Sequence, residues 1–410
     1  MKFCLSCSKF DNRHTAANNY QKIQETAEDW DITSKIGVCL RDNAANVKAA
    51  FNEPGCDYES VGCLNHSLQL VIKKELFSME TVESLVEKCR KLCTHASHSN
   101  VFYTELYKQQ ESQMGNKDRL GLKNDVATRW NSTFYMLERI LHLKPAIAGT
   151  LLKLPSSGIE FSRITRYIYE KVVTILGIFE EATKLLSGSE SCISSCIPIV
   201  TTIIQSLETT TGDDDIITMQ QAMKTAMENR FLNMEKTEHY SIATLLDPRF
   251  KHYFFRSQDA CHAAKKSILT QLDSLLPSLN EPKPISKGTS LTGFSNLMKN
   301  IIAQSQATTN QSSNSRLTKE VLNDYLDSQI SSDCLDFWKI YEKNSSGGVK
   351  LALAKIAKKF LTPSPTSTDV ERLFSTAGDI LTNERNRLLP ENLEKLLFCR
   401  ENLPNVNFRY

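Results

Sequence analysis

Asp42 follows a short apolar run, Lys35 to Leu40, and opens the polar turn Asp42-Asn43-Ala44-Ala45-Asn46. A carboxylate at the carboxyl end of a strand is where many α/β sites bind a divalent cation. Asp also suits that place for a plainer reason, because its side chain accepts backbone N–H bonds where a strand turns into a helix. Cys63 and His66, in Cys-Leu-Asn-His, have the spacing of half a zinc site. Tetrahedral zinc needs a second pair, and the nearest candidates (Cys89, Cys93, His95 and His98) mix helical with loop spacing. Cys4 and Cys7, near His14, are a further isolated pair, so no zinc finger and no metal site is expected. Nothing local would lower a thiol pKa enough for nucleophilic chemistry.

Glu371 stands three residues after Thr368, the T-x-x-E pattern of a capping box. The rival reading is a metal-ligating carboxylate acting with Asp42, but two-metal phosphoryl transfer needs several converging carboxylates. Arg129 and Trp130 open another helix. An exposed indole there would be a stacking platform for an unpaired base, whereas its ordinary role is core packing beside a surface Arg.

The elements that must position these residues divide in three. Residues 14–29 carry helix formers, Lys35 to Leu40 reads as a strand, Val47 to Phe51 as a helix stopped by Asn52-Glu53-Pro54-Gly55, and Tyr58 to Cys63 as a second strand feeding the helix HSLQLVIKKELF. From Met79 to Tyr341 the pattern is almost wholly helical, with apolar residues three and four apart. Asp213-Asp214-Asp215 suits a helix start, and the Ser/Thr/Asn/Gln-rich stretch 280–316 reads as a flexible loop. The last 60 or so residues hold LALAKIAKKFL, then a helix begun by PSPTSTDVERL, then one begun at Pro390.

Composition bounds the function. The chain has 410 residues, 49 Lys+Arg against 47 Asp+Glu, and a formal charge of +2. That length calls for two or three folding units, and that balance excludes a polybasic binder gripping phosphates along its whole surface. From Lys350 onward there are ten Lys/Arg and seven Asp/Glu, a mild basic excess. Disorder throughout is excluded by 18 Phe, 12 Tyr and long Leu/Ile-periodic stretches. Twelve cysteines are too few for a disulfide scaffold, and the opening MKFCLSCSKFDNRHTA lacks the form of a signal peptide. The longest charge-free stretch, Ser191 to Leu207, is broken by Ser, Thr and Gln, so no membrane span is expected. The expectation is a soluble chain with reduced cysteines, in cytosol or nucleus.

Five segments in order, DNAANVKAA, CLNHSLQLV, TRWNSTFYMLER, SIATLLDPRFK and PTSTDVERLFSTAGDILTNERNRLLPENLEKLLF, closely resemble the hAT superfamily of DNA transposases, in particular its domesticated members with zinc-finger BED-type domains; HTAANN at 14–19 fits as well. The resemblance implies an α/β RNase H-like core interrupted by a large all-helical insertion, the whole mostly α. Residues 1–75 would form the first part of the core, 76–347 the insertion with its loop at 280–316, and 348–410 the closing part of the core with the hAT dimerisation region. It also places the second catalytic acid on Asp42 and the third on Glu371, with Cys63, His66, Arg129 and Trp130 lining the site. Leu373, Phe374, Leu393, Leu396 and Leu397 would form the dimerisation face.

The family's first acid, in a D-x-W-T/S strand, and its BED finger would both lie upstream of HTAANN, and neither is present, which reads as an N-terminal truncation with an incomplete sheet. The expected function is therefore that of a catalytically inactive, transposase-derived nuclear protein acting through homodimerisation. No cofactor is expected, magnesium or manganese being required only by a full-length active form. The expected partner is a second copy, with weak DNA binding and no membrane or small-molecule substrate. The alternatives are an active transposase cleaving and joining DNA, and a non-catalytic DNA-binding transcription regulator.

Overall fold

The computed structural model describes residues 2–408 except 116–118, 127, 155–163, 189, 209–213, 277–314, 346–347 and 382–387. Helix α1 (Ala16–Asp29) starts where the Thr15 hydroxyl accepts the Asn18 N–H at 3.3 Å. Strand β1 (Cys39–Arg41), helix α2 (Ala45–Ala50) and strand β2 (Ser60–Gly62) form a β–α–β unit. The strands pair in parallel, Cys39 opposite Ser60 and Arg41 opposite Gly62. Both are shorter than the sequence suggests: Thr33–Lys35 is a 3₁₀ turn and only three residues of each run find a ladder partner. Gly55, at φ 84°, turns the chain after α2 in the left-handed region that Gly occupies freely.

Helix α3 (Leu64–Val71) continues through a π turn, Ile72–Leu76. Next come α4 (Glu80–Ser97), α5 (Asn100–Met114), α6 (Trp130–His142), α7 (Lys144–Lys153), α8 (Ile164–Leu186), α9 (Cys196–Ser206) and α10 (Asp214–Phe231). The chain goes on with α11 (Glu238–Leu246), α12 (Gln258–Leu275), α13 (315–327), α14 (Cys334–Lys343) and α15 (Val349–Leu361). It closes with α16 (Thr368–Ile380) and α17 (Pro390–Asn402). Helix α4 shows why these segments are helical: Val82, Leu85, Val86, Cys89, Leu92, Cys93 and Ala96 make one buried stripe, with Glu80 and Glu83 in the first turn facing the positive end of the dipole. The chain is mostly helical, and the paired β1 and β2 are the sheet found among the described residues. Of the loop expected at 280–316, residues 280–314 lie outside the described residues, while 315 and 316 already belong to α13.

One continuous apolar cluster runs from Val61 to Leu361, and α1, α2, α16 and α17 contribute no residue to it. Its polar clamp lies at the end of α11. Asp247, fully buried, accepts two bonds from the Arg249 guanidinium at 2.9 and 2.7 Å and one from the Ser194 hydroxyl at 2.6 Å. Four residues on, the buried ammonium of Lys251 donates to the carbonyls of Leu326 and Ser328 at the carboxyl end of α13, where a cation complements the helix dipole. Trp338 of α14 donates its indole N–H to the Leu246 carbonyl at 2.9 Å. These bonds fasten α13 and α14 to the helical body.

Candidate functional site

Three segments meet around the first turn of α3. The Cys63 N–H donates to the Arg41 carbonyl at 2.7 Å, extending the parallel ladder, so Asp42 and Cys63 leave the sheet side by side. Asp42 is exposed, and its Oδ1 accepts the Ala44 N–H at 3.0 Å. The Asn43 amide donates to the Ser67 hydroxyl, one turn into α3, at 2.9 Å. Asn43 comes so close to Gly62 that a Cβ there would stand 2.6 Å from its Oδ1, which is why the strand ends in Gly.

The third segment is the approach to α16. The Leu64 N–H donates to the Pro365 carbonyl at 3.1 Å, and the Ser367 N–H to the Cys63 sulfur at 3.4 Å. Asn65 donates to the hydroxyls of Ser187 and Thr368, and Arg372 to the Ser187 carbonyl at 2.9 Å. Glu371 lies one turn into α16, exposed, accepting the Ser367 hydroxyl at 3.2 Å. The expected capping box does not form, since the N-cap side chain accepts no backbone N–H and Glu371 stands four residues after it. Ser367 is the N-cap, and the Thr368 hydroxyl turns instead to Thr366, Ser187 and Asn65, partners that T-x-x-E spacing does not encode.

Asp42, Cys63 and Glu371 thus share the neighbourhood of one helix end, with His66 half-buried on the next turn of α3. Arg129 and Trp130 stand elsewhere. Arg129 is exposed at the N-cap of α6, while the Trp130 indole is 2% exposed and offers no face to a base. Their segment is tied to the far end of the α3–π element by the bond from Lys73 to the Thr128 carbonyl, 2.9 Å. Beside them Asn131, Tyr135 and Lys184 converge on the buried carboxylate of Glu180, a knot between α6 and α8 in which only the Lys184 pair, four residues apart on one helix, has a sequence spacing. Of the nearest candidates for the second half of a zinc site, the two cysteines are core, His95 is half-buried and His98 exposed. Cys89 and Cys93 are buried, and burial pushes both thiols up to about 12.

The carboxylates present do not fit the two-metal centre that the resemblance implies. Among the described residues no three His, Cys, Asp or Glu side chains are grouped as a metal ion requires. Asp42 and Glu371 are each already engaged with their own backbone turn or helix cap.

The expected dimerisation residues also divide. Helix α16 places Val370, Leu373, Phe374, Ala377 and Ile380 on one face, yet none of its 13 residues is buried, and Phe374 is 64% exposed. In α17, Leu396 is 50% exposed and Leu393 half-buried, but Leu397 is only 1% exposed and so belongs to the chain's own packing. Residues near the amino end run along this pair of helices: Cys4 exchanges two hydrogen bonds with the Asn402 side chain, and Lys2 pairs with Asp369 at 2.6 Å.

Comparison with known proteins indicates the class of chain to which this β–α–β unit and helical body are similar. Residues 61–162 match the ZBED1 RNase-like helical domain and residues 313–403 the hAT family C-terminal dimerisation region. The chain is 26% identical to the human zinc finger BED domain-containing protein 4 over 99% of its own length and 34% of the relative's. It is 26% identical to the mouse zinc finger BED domain-containing protein 6, over 90% of the chain and 40% of that protein. To a putative AC transposase of maize it is 24% identical over 95% of the chain and 51% of the relative. Two separate segments thus match hAT-related models, and the chain, similar to BED-type proteins and to a transposase, spans a third to a half of the length of these relatives. No helix among the described residues is long and apolar enough to cross a membrane.

Proposed function

We propose that this chain is a catalytically inactive, transposase-derived protein of the nucleus that acts by pairing with a second copy of itself through its C-terminal region. The observation that carries the reading is α16, an amphipathic helix of 13 residues that buries none of them. An apolar stripe of that length must be covered, and it lies inside the segment matching a dimerisation region. The dimer face comprises Val370, Leu373 and Phe374 with Leu396, and excludes Leu397. In this reading residues 1–75 and 348–410 belong to an RNase H-like core and 76–347 to a helical insertion. The parallel pairing of β1 with β2 and the meeting of Asp42, Cys63 and Glu371 at one helix end support that arrangement. The engaged, ungrouped carboxylates support the loss of catalysis. DNA contact is weak and secondary, and no small molecule is a substrate.

Light scattering tests the pairing directly. The chain is expected to run as a dimer at about ten to a hundred micromolar, a range suited to a modest interface, and Phe374→Asp as a folded monomer with unchanged circular dichroism. A wild-type chain that is monomeric throughout that range refutes the reading.

A further inference from the structure

The sequence has 12 prolines, and two of them follow a hydroxyl-bearing residue: Thr362-Pro363 and Ser364-Pro365, in tandem. They occupy the short connection between α15, packed into the body, and α16, which buries nothing. We infer that Thr362 is a phosphorylation site for a proline-directed protein kinase. Kinases of that class accept Pro directly after the acceptor because its imide has no N–H to leave without a partner.

The surroundings of the two hydroxyls distinguish them. Thr362 is exposed and is the C-cap of α15, still with helical backbone angles, its hydroxyl donating only to the Lys358 carbonyl one turn back. Ser364 is half-buried, donates to the Thr366 carbonyl at 3.0 Å, and lies between two anchored prolines. The Pro363 carbonyl accepts from Ile193 at 2.9 Å, and the Pro365 carbonyl from Leu64 at 3.1 Å. Presenting Thr362 to a kinase cleft requires only the C-cap residue of one helix to become extended, the form that a following proline favours. Presenting Ser364 requires the loss of the bonds that hold the α15–α16 connection to the body.

In the transfer, the Thr362 Oγ1 attacks the γ-phosphorus of ATP, the bond from that phosphorus to the ADP oxygen breaks, and the hydroxyl proton passes to the kinase's catalytic carboxylate. The product carries nearly two negative charges at the carboxyl end of a helix, where the dipole opposes them, with Lys358 and Lys359 within one turn. Lys358 now pairs with Glu342 of α14 at 2.6 Å, and the phosphate competes for it. The mark therefore acts at the joint between the body and the dimerisation helix.

The test uses the native 410-residue chain, a proline-directed Ser/Thr kinase and magnesium ATP, with the phosphate mapped by tandem mass spectrometry. A synthetic peptide of residues 356–370 reports the kinase's competence. Phosphate is expected on Thr362 of the native chain, lost in Thr362→Ala and in Pro363→Ala and kept in Ser364→Ala, with circular dichroism showing each variant folded. A native chain unmodified at Thr362 while the peptide is modified, a peptide that is itself refused, or a native chain modified at Ser364 alone each overturns the assignment.

Discussion

Helices α11 and α16 are both short and each carries apolar residues, but every residue of α11 from His239 to Leu246 is buried while α16 buries none. The difference is not one of helix-forming tendency. Helix α11 is surrounded by its own chain: by α9, α12 and α15, and by β2, whose Gly62 carbonyl accepts the Tyr240 hydroxyl at 3.2 Å. Helix α16 packs on α17 and is bonded to Lys2, Asn65 and Ser187, yet leaves Val370 and Phe374 exposed and Leu373, Ala377 and Ile380 only half-buried. The body is stabilised by residues already in the chain; the exposed face of α16 is the surface that the proposed second copy would cover. Mutations in the body should therefore register in folding free energy, and mutations on α16 in association.

The largest effect is expected at Asp247. Removing this fully buried carboxylate leaves the Arg249 guanidinium and the Ser194 hydroxyl without their acceptor, so Asp247→Ala should cost about 3 kcal/mol or more. Urea unfolding measures it. A loss below about 1 kcal/mol would mean that the bonds from Arg249 and Ser194 to Asp247 do not stabilise the body.

Next in size is a pair of adjacent leucines that sharpens the boundary between the two regions. Leu397→Ala opens a cavity and should cost about 2–3 kcal/mol. Leu396→Ala, on the open side of the same helix, should change unfolding free energy by less than about 0.5 kcal/mol while weakening self-association. Equal stability losses in both would place Leu396 in the core.

A smaller effect is pH-dependent and belongs to the body. Burial alone would raise the Asp125 carboxyl, but the Arg90 guanidinium, bonded at 3.0 and 2.7 Å, and the Thr133 hydroxyl at 2.8 Å outweigh it and hold the group below its usual 3.8. A depressed carboxyl contributes stability that is present above the ordinary value and is lost as pH falls through the lowered one. Arg90→Met should therefore flatten the acid limb of stability below pH 3.8, by about 1 kcal/mol or less because Arg90 is half-exposed and solvent-screened. An unchanged acid limb would show that Arg90 does not set this group.

Much of the helical body was legible in the sequence because three-and-four spacing of apolar residues is a local signal: α4, α6, α8 and α10 fall where the periodicity places them. The strands were overextended because pairing length depends on the neighbour, not on the run itself. The Asn131 and Tyr135 bonds to Glu180 and the anchoring of Lys251 were invisible for a related reason, since those partners lie 45 or more positions away. The exposure of Leu396 and burial of Leu397 could not be separated by periodicity either, as adjacent positions at one edge of a stripe differ only in what packs against them.

The least effect is expected at Glu371, and it bears on whether the terminal region keeps any chemistry. Its carboxylate sits in the first turn of α16 and accepts the Ser367 hydroxyl, a placement that a helix start explains without catalysis. Glu371→Gln keeps the acceptor oxygen and removes the charge that the helix dipole favours, so stability should fall by a few tenths of a kcal/mol. The purified chain should not nick supercoiled DNA with magnesium or manganese, because two separately engaged carboxylates neither neutralise nor position a pair of cations. Metal-dependent nicking by the wild-type chain that disappears in both Asp42→Ala and Glu371→Gln would reverse that conclusion. It would mean that the meeting of these residues at the α3 turn is a working site, and that the open face of α16 borders a catalytic centre as well as a dimer contact.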